Sequence, residues 1–249
     1  MARIVLIHGA FNEFWGPHEL KARWLPALRD GLWYHDVEIA DDNVGVCFYG
    51  DLFRREPHTE AEYQLEKSRA GIAELLGNIE GSNVIAALGR AASDAAFDRI
   101  VDMVTIMATV PDLRDRMRAR AEAVVGDDTR VLVSHSLGTM LSYMALCNHP
   151  HWKVHTFVTL GSPLASPMIF KHLDPPPIDG KGQWPGSVQR WVNVRAVGDK
   201  AAAVTLRKKF GPRVEELLID NGSRAHDPEP YLNAAATGAA IAAALTNTL

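Results

Sequence analysis

Six short runs of the chain read as strands, and longer stretches of mixed character separate them. They are RIVLI (3–7), VGVCFY (44–49), TRVLVS (129–134), VHTFVTL (154–160), QRWVNVR (189–195) and VEELLI (214–219). Several are continuously apolar and rich in Val and Ile, as strands covered on both faces tend to be. Helical periodicity marks the stretches 18–30, 60–77, 111–125, 137–148 and 229–246. Pro111 suits the first turn of the third, where Leu113, Met117, Ala121 and Val124 recur at near-helical spacing. Strand and helix alternate from end to end. That order predicts an α/β fold, a mostly parallel sheet of about six strands with helices on both faces. With no internal repeat and no low-complexity linker, residues 1–249 are expected to form a single domain.

Two segments break the rhythm. Residues 51–110 are too long for a simple crossover and hold a polar helix followed by FDRIVDMVTIMATV (97–110). They are expected to form a helical insertion before the strand at 129–134, with the apolar run either a buried helix or a lid. Residues 163–188 are rich in Pro and Gly and predict a long surface loop. Excursions at strand ends are where α/β enzymes place lids and pocket walls.

Composition narrows the class. Of 249 residues, 47% are hydrophobic and 22% charged, ample for a packed core. A formal net charge of -4 gives no electrostatic reason to expect nucleic acid or an anionic membrane as partner. The local cluster RMRARAE (116–122) has the alternating charge of a solvated helix face. Two cysteines, Cys47 and Cys147, lie in apolar stretches and are too few for a disulfide framework or a zinc site. Both read as reduced core residues, so a cytoplasmic location is expected. MARIVLIHG enters a strand at once, unlike a secretion signal. The alanine-dominated AAATGAAIAAALTNTL is too short and weak to span a bilayer, so no integral membrane segment is expected.

Chemistry enters at TRVLVSHSLGT (129–139), where the apolar run stops at Ser136 and a helix-like stretch begins. A strand, a tight turn carrying serine and a helix make the geometry of a nucleophile elbow, written G-x-S-x-G. Here Ser134 stands where the first glycine would be, and Gly138 supplies the second. The same position equally suits a helix N-cap. A nucleophilic serine needs a base, and the base an orienting carboxylate, following it in the order acid, then histidine. Asp199, in VNVRAVGDKAA, lies just past a strand; His226, in DNGSRAHDPEPYLN, lies after the last strand and before the last helix. Asp220 and Asp227 are competing acids, less well placed, at a strand end and beside His226. His8 and Gly9 follow the first strand directly. There the Ala10 N–H (or that of Phe11) could join the Leu137 N–H as an oxyanion hole.

Together VLIHGAF, VLVSHSLGTM, TLGSPLA, AVGDKAA and AHDPEPYL resemble the α/β-hydrolase family. The likeness is to its lipase and esterase branches, including the GPI inositol-deacylase-like group with its Leu-Gly-Ser-Pro turn. It covers residues 1–16 and most of 129–249, not 51–110. The resemblance implies Ser136 as nucleophile, His226 as base and Asp199 as acid. It also implies a sheet that opens on the oxyanion-hole strand, without the first two strands of the full fold. The expected activity is hydrolysis of a small-molecule carboxylic ester or thioester with no cofactor. An amidase or peptidase on the same residues, and a binding protein with a gated site, are the alternatives.

HPHWKVH (149–155) brings His149, His151 and His155 close in sequence, but it spans a helix end, a proline and a strand start. No carboxylate or cysteine accompanies them at ligand spacing, so no metal is expected. Phosphate-binding glycine loops are absent from the sequence. Trp24 falls at helical spacing from Leu20 and Leu28 and reads as core, whereas Phe11 and Trp15 are candidates for a substrate pocket.

Overall fold

All six strands lie parallel in one sheet, in the order β2-β1-β3-β4-β5-β6. They are β1 (Ile4–Ile7), β2 (Val44–Cys47), β3 (Val131–His135), β4 (Thr156–Leu160), β5 (Arg190–Ala196) and β6 (Glu215–Ile219). The computed structural model describes residues 2–54 and 103–246, apart from 106 and 108. The expected polar helix at 60–77 and most of the 51–110 insertion therefore lie outside the described residues. Within 103–109 the described positions are helical, with Met103, Val104 and Met107 buried.

The continuous apolar runs have the predicted cause. In β1, Ile4 and Leu6 face one core while Val5 and Ile7 face another. The same split divides Val131 and Val133 from Leu132, and Val192 and Val194 from Trp191. Side chains alternate across a strand, so a strand covered on both faces is largely apolar on both, and its buried polar residues, such as Thr159 and Asn193, bond one another. Helices α1 (Pro17–Trp33), α6 (Pro228–Leu232) and α7 (Ala235–Thr246) cover one face; α2 (Pro111–Glu122) and α3 (Gly138–Asn148) cover the other. This is an α/β architecture consistent with the α/β-hydrolase arrangement. Trp24 is buried in α1 as its spacing implied.

The chain leaves β1 to form β2 on one side, then returns to form β3 on the other. Strand order reverses between β1 and β3, and their carboxyl ends open a crevice at this switch point. The architecture thus selects where a site can form.

Two expectations change. The run 229–246 is not one helix: it breaks at Asn233, and α7 starts afresh with the Gly238 N–H on the Ala234 carbonyl. At the break, a Cβ on Gly31 of α1 would stand 2.3 Å from the Leu232 carbonyl oxygen, so the chain must bend around α1. Residues 163–188 are not a wholly exposed loop. Leu164, Ala165, Ile169, Phe170 and Leu173 are buried, with a short helix α4 (Pro167–Phe170) capped by the Ser166 hydroxyl. A further short helix, α5 (Arg207–Phe210), precedes β6.

Helices α1 and α7 touch backbone to backbone, since a Cβ on Gly238 would fall 1.8 Å from the Gly31 oxygen. Alanine raises helix propensity over glycine by about 1 kcal/mol, so steric conflict alone can make Gly238→Ala destabilising. A loss of about 1–3 kcal/mol, on the scale of core overpacking, is expected. Thermal melting checks it, and a raised Tm would mean the two helices separate freely.

Candidate active site

Ser136 sits between β3 and α3 with φ 53, in the left-handed region where a non-glycine residue is strained by roughly 1–3 kcal/mol. Its backbone is held on both sides. The Ser136 N–H donates to Leu160 O at 3.0 Å, and its carbonyl accepts from the Thr139 N–H and hydroxyl at 3.0 and 2.7 Å. The side chain does not cap the helix: Leu137 occupies the cap position, without a side-chain bond. Instead Ser136 Oγ lies 2.9 Å from His226 Nε2.

Small residues around the serine permit this turn. A Cβ on Gly138 would come within 2.1 Å of the His8 carbonyl oxygen, so α3 passes against the end of β1. A Cβ on Gly9 would reach 2.7 Å from Ser136 Cβ. Ser134, standing where an elbow glycine was expected, is fully buried, and its hydroxyl bonds that of Ser142 on α3. Ser142 in turn donates to Gly138 O at 2.8 Å. The extra hydroxyl is thus satisfied inside the elbow.

Asp199 and His226 reach the serine from the ends of β5 and β6. His226 Nδ1 is 3.0 and 2.9 Å from the two Asp199 carboxylate oxygens. A carboxylate only accepts, so the proton belongs on Nδ1 and leaves Nε2 free to accept from the Ser136 hydroxyl. Tyr231 of α6 donates to Asp199 Oδ2 at 2.5 Å, and the Ala201 and Ala202 N–H groups donate to Oδ1 at 3.0 and 3.4 Å. Burial pulls the Asp199 carboxyl pKa up. The bond and charge of His226, with the Tyr231 hydroxyl, outweigh burial and leave it below its ordinary value. It is held as an anion. The competing acids point elsewhere: Asp220 accepts from the Gly222 N–H, and Asp227 pairs with Arg224.

Three further residues contribute to the site without having been named as candidates in the sequence. Gly161, at φ 55, follows β4; a Cβ there would meet Asp199 Oδ2 at 2.9 Å and His226 Nδ1 at 3.2 Å. Its signal was the Leu-Gly-Ser-Pro turn, whose Ser162 hydroxyl bonds Thr139 Oγ1 at 2.9 Å. Tyr231 falls, by sequence pattern, within an unbroken last helix, which hides it. His135, between the two serines, lies with Nε2 2.8 Å from the His226 carbonyl oxygen.

The loop after β1 runs beside the serine. Gly9 and Ala10 carbonyls accept from Asn12 Nδ2 at 3.2 and 2.8 Å, and Phe11 adopts φ 64. His8 is wholly buried: its Nε2 accepts from the Tyr49 N–H at 3.1 Å, and its carbonyl from the Tyr49 hydroxyl at 2.6 Å. Its Nδ1 lies 2.7 Å from Gly9 O. Neither the Ala10 nor the Leu137 N–H donates to an acceptor among the described residues. Phe11 is partly exposed on this loop, whereas Trp15 packs on the α1-side core with the Arg23 guanidinium 5.0 Å above its ring.

Of the histidines at 149–155, the rings of His149 and His151 meet edge-on at 5.6 Å, and His155 bonds elsewhere. His149 bonds Glu122 at 2.8 Å and stacks on Trp152, while His155 bonds Thr156. No group of three metal-ligating side chains occurs among the described residues. Cys47 and Cys147 are free thiols. No helix of the described residues is long and apolar enough to cross a membrane. Comparison of the chain with protein-family models, curated proteins and solved structures returned no match in any of the three.

Burial, offset in part by the bond to Gly9, lowers the His8 pKa to about 4. Burial first, then the charge of His226, lowers that of His135 to about 3. Both start from 6.5 when unfolded, so on acidification the unfolded chain binds protons first. The stability they confer is full above pH 6.5 and declines as pH falls through 6.5 towards those lower values. Urea midpoints at about pH 7.5, 5.5 and 4.5 are expected to fall in that order, and less steeply in His135→Gln. A native midpoint independent of pH over this range would contradict the buried, neutral imidazoles.

Proposed function

We propose that this protein is a serine hydrolase of the α/β-hydrolase family, cleaving a small carboxylic ester or thioester through an acyl-enzyme. The observation that carries the reading is the unbroken series from Ser136 Oγ to His226 Nε2 at 2.9 Å, and from His226 Nδ1 to the buried Asp199 carboxylate at 2.9 Å. The left-handed Ser136 backbone, at φ 53, supports the same reading.

In this mechanism the Ser136 hydroxyl attacks the substrate carbonyl as His226 Nε2 takes its proton. Asp199 stabilises the imidazolium that forms and keeps the Nδ1 proton in place. The carbonyl oxygen becomes an oxyanion, met by the Ala10 and Leu137 N–H groups; one such donor is worth about 10²–10³ in rate. His226 then protonates the departing alkoxide or thiolate, leaving Ser136 acylated. Water, deprotonated by His226, attacks the acyl carbon, and collapse of the second tetrahedral intermediate releases the acid and restores the serine. These steps need no cofactor. Phe11, exposed on the loop bearing Ala10, would be the nearest candidate to line a substrate pocket.

A fluorophosphonate probe applied to the native protein is expected to label Ser136, located by mass spectrometry of the labelled peptide. Ser136→Ala should lose both labelling and ester turnover, and Asp199→Asn should slow turnover by a factor on the order of 10⁴. Folded native protein that neither labels nor turns over a series of esters of graded acyl length would sink the hydrolase reading.

A further inference from the structure

His226 rides on a stretch with little else to hold it. Residues 220–227 contain no buried residue, and their own bonds are local. Asp220 accepts from the Gly222 N–H at 2.8 Å, Asn221 donates to Ala225 O at 3.4 Å, and Arg224 pairs with Asp227 and with Glu229 of α6. Among the described residues, the hydrogen bonds joining this stretch to the sheet and its strand-end loops all run through His226. Its ring meets Ser136 and Asp199; its carbonyl meets His135. The first two belong to the ring, the part that must gain and lose a proton. Only the third is independent of the ring's charge.

His135 is suited to that task. It ends β3 and is the covalent neighbour of Ser136, so its bond at 2.8 Å measures the base's backbone against the nucleophile's own strand. The acceptor is a carbonyl, so Nε2 carries the proton. The ring is 6% exposed and enclosed by the rings of His226 at 4.9 Å, Tyr231 at 6.0 Å and Trp24 at 6.2 Å. Such an enclosure leaves the donor one direction.

We propose that His135 is a positioning residue for His226: its Nε2–H anchors the backbone of the base-bearing loop so that the imidazole stays in reach of Ser136 while its charge changes. The inference rests on His226 being the general base. A shift of about 1 Å in a catalytic group costs on the order of 10²-fold in rate, so a single backbone anchor has kinetic weight here.

Three variants separate the lost donor from lost packing. His135→Gln keeps an N–H near the Nε2 position, His135→Asn places it too short, and His135→Phe removes it while keeping the ring. Amide hydrogen exchange over 220–227 and the rate constant for fluorophosphonate labelling are measured for each, with thermal melting as the check on folding. The Phe and Asn variants are expected to exchange faster in the loop and to label about 10–100-fold more slowly. Gln should restore both to within a few fold. Native-like loop exchange in Asn or Phe would overturn the proposal, as would equal impairment of Gln and Asn; Asn and Gln suffice if Phe fails to fold. If the native protein fails to label while exchange still follows the donor, the hydrolase reading falls and the anchoring of the loop by His135 stands.

Discussion

The closest approach at the site is that of α3 to the end of β1, where the Gly138 backbone lies on the His8 carbonyl with no room for a side chain. Everything at the crevice depends on this contact. It brings the turn after β3 against the turn after β1, and so forces Ser136 into a left-handed conformation that its neighbours must hold by backbone bonds. Strain of this kind persists only where the surroundings over-determine it. Here two flanking strands, the first turn of α3 and the Ser162 hydroxyl do so. The oxygen that results is turned out of the helix and towards the loops from β5 and β6.

Those loops are built on a different principle. Asp199 is fixed by several donors in a buried setting, while His226 lies on a polar, partly exposed stretch. A fixed anion beside a ring carried on a lightly held loop would suit the general base proposed for His226, which has to gain and lose a proton without rearranging its partner. Gly161 makes their proximity possible by leaving empty the space a side chain would fill. The hydroxyl of Tyr231 completes the arrangement by bonding the acid while accepting from the Ala196 N–H at 2.9 Å, which joins α6 to the end of β5.

Much of this was legible before any coordinates. The inner strands are covered on two faces and largely apolar, and together with the edge strands β2 and β6 all six could be read to within a residue or two. Ser136, Asp199 and His226 were legible because order along the chain and placement at strand ends constrain them together. His135 was not, since a histidine flanked by serines has neither periodicity nor spacing to mark it. The break at Asn233 was hidden because the alanines beyond it suit a helix in any register; what accompanies it is the close packing of Leu232 on Gly31, far earlier in the chain in α1. The burial of 163–173 was obscured by prolines and glycines that signal turns yet leave Leu164, Ile169 and Phe170 free to pack.

Strand β1 is the first element of the chain, but it lies inside the sheet, between β2 and β3. Its register partner on one side, Val131, lies far along the chain from Ile4. During synthesis, β1 has an unpaired edge until β3 has followed. Pairings so distant in sequence must close a large loop before any contact rewards it, which slows folding and prolongs exposure of an apolar edge. The loop bearing Ala10 is made long before His226. The crevice cannot be complete until both are in place, so a chain arrested between them would hold much of the sheet without a complete site.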